Sequence, residues 1–276
     1  MAAFWVVWAQ IAWPETWALL RQMPPLYLLT AFLLYHLSKW IGALRYRQLL
    51  ALVGRPLPVK THLRLNYAGM FYSLFLPGSI SGDGYKVLVL RNPDGNPGWK
   101  AITRLTALDR LSGVLGLLAW LVAMVPVSGF WAWMGAWQYA YIPLVVGGGL
   151  VAVLLVRFIL RTPYGFIFRA AGWSLGVQGA QLLAALLLLM GLGIETAWLD
   201  YLVLFLLSSL ATLFPFTVGG AGARELVFLV GARYAGLAAG PAVALGLLFF
   251  VINLLAALPG AWLMPSKAEL RAKAEV

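Results

Sequence analysis

Pro77-Gly78-Ser79-Ile80-Ser81-Gly82-Asp83-Gly84-Tyr85-Lys86-Val87 aligns without a gap with Pro215-Phe216-Thr217-Val218-Gly219-Gly220-Ala221-Gly222-Ala223-Arg224-Glu225. The prolines coincide, as do Gly82 with Gly220 and Gly84 with Gly222. Ser79 matches Thr217, Ile80 matches Val218, and Lys86 matches Arg224. Proline removes an amide donor and steers the residue before it out of the helical region, while glycine tolerates backbone shapes closed to other residues. Each copy therefore predicts a break in an apolar helix, a glycine-rich loop, and a resumed helix with a cation near its start.

The sequence around the two breaks sets the compartment. Apolar residues make up 62% of the chain and charged residues 11%, with a mean hydropathy of +0.87; soluble domains carry roughly 25% charged residues. The chain reads as an all-α integral membrane protein. A helix rises about 1.5 Å per residue, so a hydrocarbon core of roughly 30 Å takes about 20 residues to cross. Full-length apolar spans are predicted at 26–44, 103–125, 139–158, 173–193 and 239–263. The motif regions, 61–92 and 198–235, hold paired shorter apolar segments and read as helix-break-helix hairpins that enter and leave on one side. Residues 4–20 carry Trp5, Trp8, Trp13 and Trp17 around Pro14 and Glu15. This stretch spans the bilayer or lies in its interface, and the preference of tryptophan for the headgroup region favours the interface. The N-terminus lacks the cationic region and cleavage site of a secretory signal. No cysteine and only two histidines, His36 and His62, argue against disulfides and metal centres. No cofactor is expected.

The net charge of +11 does not indicate nucleic acid, because the cations cluster at span ends rather than along one soluble face. Arg45, Arg47, Arg55, Lys60 and Arg64 follow the first span, and Lys86, Arg91, Lys100 and Arg104 precede the second. Arg157, Arg161 and Arg169 lie between the third and fourth, and Lys267, Arg271 and Lys273 form the tail. The positive-inside rule makes these segments cytoplasmic, including the C-terminus, whereas 126–138 and 194–200 face outward. Arg233 falls on the predicted outer side and counts against this topology. The first hairpin then opens from the cytoplasmic side and the second from the outside. The chain reads as one transmembrane domain, 1–276, with a first repeat at 26–125, a linking helix at 139–158, an inverted second repeat at 173–263 and a tail at 264–276. Inverted repeats with broken helices are characteristic of secondary transporters.

Glycine-rich loops opening a helix present free amides and the positive end of a dipole, which suits an anion. Ser79, Ser81, Gly82, Asp83 and Gly84 in the first copy, with Thr217, Gly219, Gly220 and Gly222 in the second, are therefore candidate phosphate contacts. Lys86 and Arg224 follow them. Asp83, Asp109, Arg110, Arg224 and Glu225 are charges inside apolar sequence, where an isolated charge costs roughly 2.5–3.5 kcal/mol, so they face partners or water. Pairing across the repeat interface is expected, with Asp109 and Arg110 at the beginning of their span. Asp83 and Glu225 are read as binding an amine or taking up protons. Asn66, Tyr67, Tyr72, Gln178, Gln181 and Asn253 either line a cavity or bond between helices. His36 and His62 read as packing groups. Gly147-Gly148-Gly149 and the glycines at 176 and 179 read as close helix contacts.

Several of these features together resemble one known family. They are Leu44-Arg45-Tyr46-Arg47, Leu76-Pro77-Gly78 with Gly82-Asp83, Asp109-Arg110 with Gly113, and Pro215 with Gly219-Gly220 through Arg224-Glu225. The chain is similar over about 26–263 to the flippase-like transmembrane domain of lysylphosphatidylglycerol synthases, as a stand-alone member without the synthase domain. The resemblance implies movement of aminoacylated phospholipid between leaflets of the cell membrane and gives no transferase activity. The expected function is a flippase or transporter for a phosphate-containing lipid, whether aminoacylated or not. An intramembrane enzyme acting on a lipid phosphate, and a scaffold for a lipid-modifying or glycosylating enzyme, stay open. Membrane lipids with an anionic or zwitterionic headgroup are the expected partners. Self-association and a lipid-modifying partner enzyme stay open, and nucleic acid is excluded.

Overall fold

The computed structural model describes residues 13–76, 80–92, 97–158, 164–212 and 223–271, and the regular structure among them is helical throughout. The first helix, α1, is Trp13–Arg21. Prolines open the next two. Pro24 is extended and Pro25 enters the first turn of α2, Pro25–Ala51, where a missing amide donor costs nothing. Pro58 at ψ 144° precedes α3, Val59–Phe75. That helix stops at Leu76, whose extended backbone (φ −98°, ψ 148°) is the conformation a following proline imposes. Then come α4, Ser81–Leu90, α5, Trp99–Met124, and the short α6, Gly129–Trp133. α7 is Gln138–Phe158 and α8 is Tyr164–Gly191. The chain continues through α9, Trp198–Ala211, α10, Ala223–Tyr234, α11, Ala239–Ala257, and α12, Lys267–Arg271.

Four stretches are long and apolar enough to cross a membrane: Trp99–Val127, Gly135–Phe158, Tyr164–Gly191 and Ala239–Ala261. They coincide with four of the five spans expected from sequence. The fifth, 26–44, falls within α2, which is long enough but is not among the four. His36, Ser38 and Lys39 interrupt its apolar run, and Lys39 borders an internal cavity. Asp109 and Arg110, expected at the start of a span, lie well inside α5 because that helix begins at Trp99.

Apolar side chains gain little by leaving lipid for a neighbouring helix, so close approach at small residues does much of the packing. A Cβ on Gly116 would lie 2.6 Å from Ser174 Cβ, which brings α5 tight against α8. On Gly231 it would lie 2.3 Å from Leu204 Cδ2, pressing α10 onto α9. Gly176 and Gly179 meet Ile41 and Trp120, as close helix packing predicts. Gly147, Gly148 and Gly149 do not: nothing lies within 4 Å of a Cβ on any of them. They sit on α7, most of whose apolar side chains face outward, with Tyr139 87% and Ile142 66% exposed, while Val156 near its end joins the second core. A helix of this kind is stable only in lipid.

The opposite case is α9. Tyr201, Leu202, Val203, Leu204, Phe205 and Leu206 are consecutive and all buried, so protein surrounds this 14-residue helix on every side. Leu188, Leu189, Phe228, Leu245 and Phe249 close the core around it. A second core gathers Tyr46, Leu49, Leu65, Leu90 and Ile102. Leu270 of α12 belongs to it, so the expected tail is docked as far as α12. Arg64 pairs with Glu269, and Arg55 donates to the carbonyls of Leu90 and Leu270. Ser266 and Glu269 cap α12 reciprocally: Ser266 N donates to Glu269 Oε2 at 2.8 Å, and Glu269 N donates to Ser266 Oγ at 3.2 Å.

Candidate functional site

Both motif regions fold as adjacent helices. In the first, the Tyr72 and Tyr85 rings stack with centroids 4.5 Å apart, and Ser81 Oγ donates to the Tyr72 carbonyl at 2.7 Å, tying α4 to α3. A Cβ on Gly82 would fall 2.0 Å from the Gly69 carbonyl oxygen and 2.2 Å from Ser73 Oγ. Gly82 is thus a contact between helices. Ser81-Gly82-Asp83-Gly84, read from sequence as a loop, forms the first turn of α4. The amides of Asp83 and Gly84 both donate to the Ile80 carbonyl and are closed to an anion. Ser79, Thr217, Gly219, Gly220 and Gly222 lie outside the described residues.

The charged candidates converge. Asp83, Asp109, Arg110, Arg224 and Glu225 line one cavity of about 360 Å³, joined there by Lys39 and Arg45. A second chamber of about 240 Å³ shares Lys39, Asp83, Thr212 and Asn253 with the first and adds Gly82 and Lys86. Gly84 borders neither chamber. The lining of the two chambers comes from α2, α3, α4 and α5 on one side and from α8, α9, α10 and α11 on the other. Irregular charge of this kind is tolerated at membrane depth only inside protein or against water.

Adjacent positions on a helix point about 100° apart, so Asp109 and Arg110 reach different partners. Arg45 donates through Nε to Asp109 Oδ1 at 2.8 Å and through Nη1 to Ser174 Oγ at 2.7 Å. Arg110 pairs with Asp83. Both ion pairs therefore join elements of the first half, where pairing across the repeat interface was expected. The other cations rest on rings. Lys39 Nζ lies 4.5 Å from the Tyr35 ring centroid, one helical turn away on α2. Lys86 lies 4.9 Å from Tyr46 and donates to Asn66 Oδ1 at 3.3 Å. Arg224 lies 5.5 Å from Phe205 and 5.1 Å from Phe249. The two chambers together hold Lys39, Arg45, Lys86, Arg110 and Arg224 against Asp83, Asp109 and Glu225, an excess of cations.

The family described as Lysylphosphatidylglycerol synthase TM region matches residues 1–167 and 158–260. The chain belongs to this family. No curated protein and no solved structure matches it.

Among the residues that the sequence left undecided, Gln178, Gln181 and Asn253 line the first chamber and Asn66 the second. Tyr67 instead bonds His36 Nδ1 at 2.7 Å and accepts from Trp40 Nε1 at 3.0 Å. His36 and His62 line neither chamber. Tyr35, Lys39, Arg45, Ser209, Thr212 and Phe249 line the site without having been read as site residues. A signal for Lys39 existed: a lysine within an apolar run, one turn after Tyr35, is an intramembrane charge by the same rule that singled out Asp83.

Proposed function

We propose that this protein is a lipid carrier that moves a phosphate-bearing membrane lipid between leaflets, with the headgroup in the charged cavity and the acyl chains in the bilayer. One observation carries the reading: charged side chains from both halves of an apolar chain meet at a single polar cavity. A shared cavity at the junction of two halves is where transporters built from repeats hold their substrate. The helix order supports such repeats, since α2, the α3–α4 pair and α5 are echoed after α7 by α8, the α9–α10 pair and α11. In this reading the two pairs are re-entrant hairpins of opposite orientation, and the cationic ends place the C-terminus in the cytoplasm.

The phosphate sits between Lys39 and Arg224, one cation from each half, with Lys86 in the adjoining chamber. These cations are held by aromatic faces, so an arriving anion breaks no internal ion pair. Asp83 and Asp109 hold Arg110 and Arg45 in place. Reconstitution into liposomes tests the reading, with fluorescent lipid in the inner leaflet followed by its accessibility to an external quencher. Wild type should equilibrate the lipid within the assay, and the K39Q/R224Q variant should slow this at least about tenfold, the effect of some 1.4 kcal/mol. Equal rates for a variant with unchanged helical content remove the assignment.

A further inference from the structure

Two helices present apolar stripes to one another across a gap. Leu115, Leu118, Ala119 and Val122 fall at the i, i+3, i+4, i+7 spacing of one helical face on α5, and Tyr141, Leu144, Val145 and Gly148 repeat that spacing on α7. Stripes of this kind ordinarily pack together. Here they line a groove of about 860 Å³, more than twice the volume of the charged cavity, and no charged residue borders it. Trp133, Met134 and Trp137 rim one end. At that end the Tyr141 ring meets Trp131 edge-on at 5.5 Å, and Tyr141 Oη donates to the Leu121 carbonyl at 3.3 Å, so an aromatic bridge sets the spacing of the two helices. Toward the other end Gly148 and Gly149 leave room, since nothing lies within 4 Å of a Cβ on either. Farther along, Val156 fixes α7 to the second core.

We propose that this groove binds one acyl chain of a membrane phospholipid standing in the leaflet at the α6 end, the outer leaflet in the topology proposed above. Depth decides the occupant. The stretch of α7 from Tyr141 to Gly149 rises about 12 Å, and one leaflet of hydrocarbon is roughly 15 Å deep, half of the core. A helix of a second copy would cross the whole core and would need a groove along all 21 residues of α7. The rim agrees with a lipid. Indole rings favour the headgroup level, which sets the ester end of the lipid beside Trp133 and Trp137 and the end of the chain beside Gly149. An empty gap between apolar walls forfeits dispersion contacts on both sides. A chain lying between two helices recovers both, whereas a chain on a single exposed helix recovers one. Val114 and Leu117 of α5 face the charged cavity while Leu115 and Leu118 face the groove, so one helix separates the two. The groove is a second lipid site, and it stands whether or not the protein moves lipid.

The test uses the full chain in phosphatidylcholine vesicles containing a trace of phosphatidylcholine with a photoreactive diazirine on one acyl chain. After irradiation, proteolysis and mass spectrometry locate the adducts. Residues 26–37 of α2, where Leu26, Leu29 and Leu33 are exposed, report ordinary contact with lipid. Residues 115–122 and 141–149 should carry at least about tenfold more label than that stretch. A diazirine near the carboxyl end should mark Val122 and Tyr141, and one near the methyl end Leu115 and Gly149. G148L/G149L fills the groove with side chains that meet nothing in the protein and favour helix over glycine. Its groove labelling should fall to the level of α2 with helical content unchanged. A119L fills the groove from the opposite wall and decides the question if G148L/G149L does not fold. Equal labelling of the groove and α2 in the wild type overturns the proposal, as does labelling that survives both filled variants. A reversed order of the two diazirine positions overturns the leaflet and the orientation of the chain. Covalent pairs of protein chains joined through 141–149 would make a second copy the occupant and overturn it as well.

Discussion

Asp109 illustrates how single residues divide their labour in this cavity. Its carboxylate meets Arg45, a residue only 8% exposed, and removing one partner of a buried pair leaves the other charge uncompensated. D109N is therefore expected to destabilise the protein by about 3 kcal/mol, seen as a lowered melting temperature in detergent. R45M/D109L should recover much of that loss, because an apolar pair of similar size avoids the desolvation cost. Failure of the double variant to melt higher than D109N would show that the pair does more than balance charge. The charged candidates were legible in the sequence because an acid inside apolar sequence is costly and needs a reason. Their partners were not. Whether Arg110 meets Asp83 or Glu225 depends on how α4 and α5 lie against each other, which one chain of letters does not encode locally. Lys39 was hidden by its place within a span, where the aliphatic stretch around it dominates the reading.

The helix pairs set the next scale. Prolines made the breaks readable: Leu76 is extended because Pro77 follows, as the repeated phrase implied. The purpose of the glycines was not readable, since packing and anion binding call for the same residue. G82A and G84A separate the two. G82A drives a methyl into the Gly69 carbonyl and should cost about 1–3 kcal/mol through overpacking. G84A meets nothing within 4 Å on a helix and should stabilise by about 0.5–1 kcal/mol. Thermal unfolding of the two variants checks both signs. At the other end of the chain, α12 is pinned through Glu269. Its carboxyl is held below the usual range by hydrogen bonds from the Ser266 amide and hydroxyl, with Arg64 adding to the effect. A lowered pKa means that the contribution is present above the ordinary carboxylate range and disappears as pH falls through the lowered value. Amide exchange in α12 should therefore be slow at neutral pH and accelerate under acid. E269Q should show the fast exchange already at neutral pH. Slow exchange in E269Q would place the anchoring elsewhere, in the Arg55 contacts.

For the molecule as a whole, the junction between halves matters most. α8 opens the second half yet packs closely on α2 and α5 of the first, through Gly42, Gly176 and Gly116. The site draws Lys39 from one half and Arg224 from the other. Two polypeptides, 1–158 and 164–276, produced together should therefore copurify through an untagged partner, and only the complex should bind lipid. Copurification failing in mild detergent would mean that the link through α7 holds the halves together. Membrane residence and the four long apolar helices followed from hydropathy, because apolar length is a property of the sequence itself. Which helix lies at the centre did not. α9 is too short to cross, and its burial on all sides follows from what surrounds it.

The exposure of α7 bears on how the protein meets membranes of different thickness. Its 21 residues extend about 31 Å, close to the hydrocarbon depth of an average bilayer. Because few side chains grip it, its tilt is governed by hydrophobic mismatch with the surrounding lipid. A thinner bilayer inclines α7 while the protein-encased α9 keeps its attitude, so α7 is the element that adapts to the membrane while the cavity holds its shape.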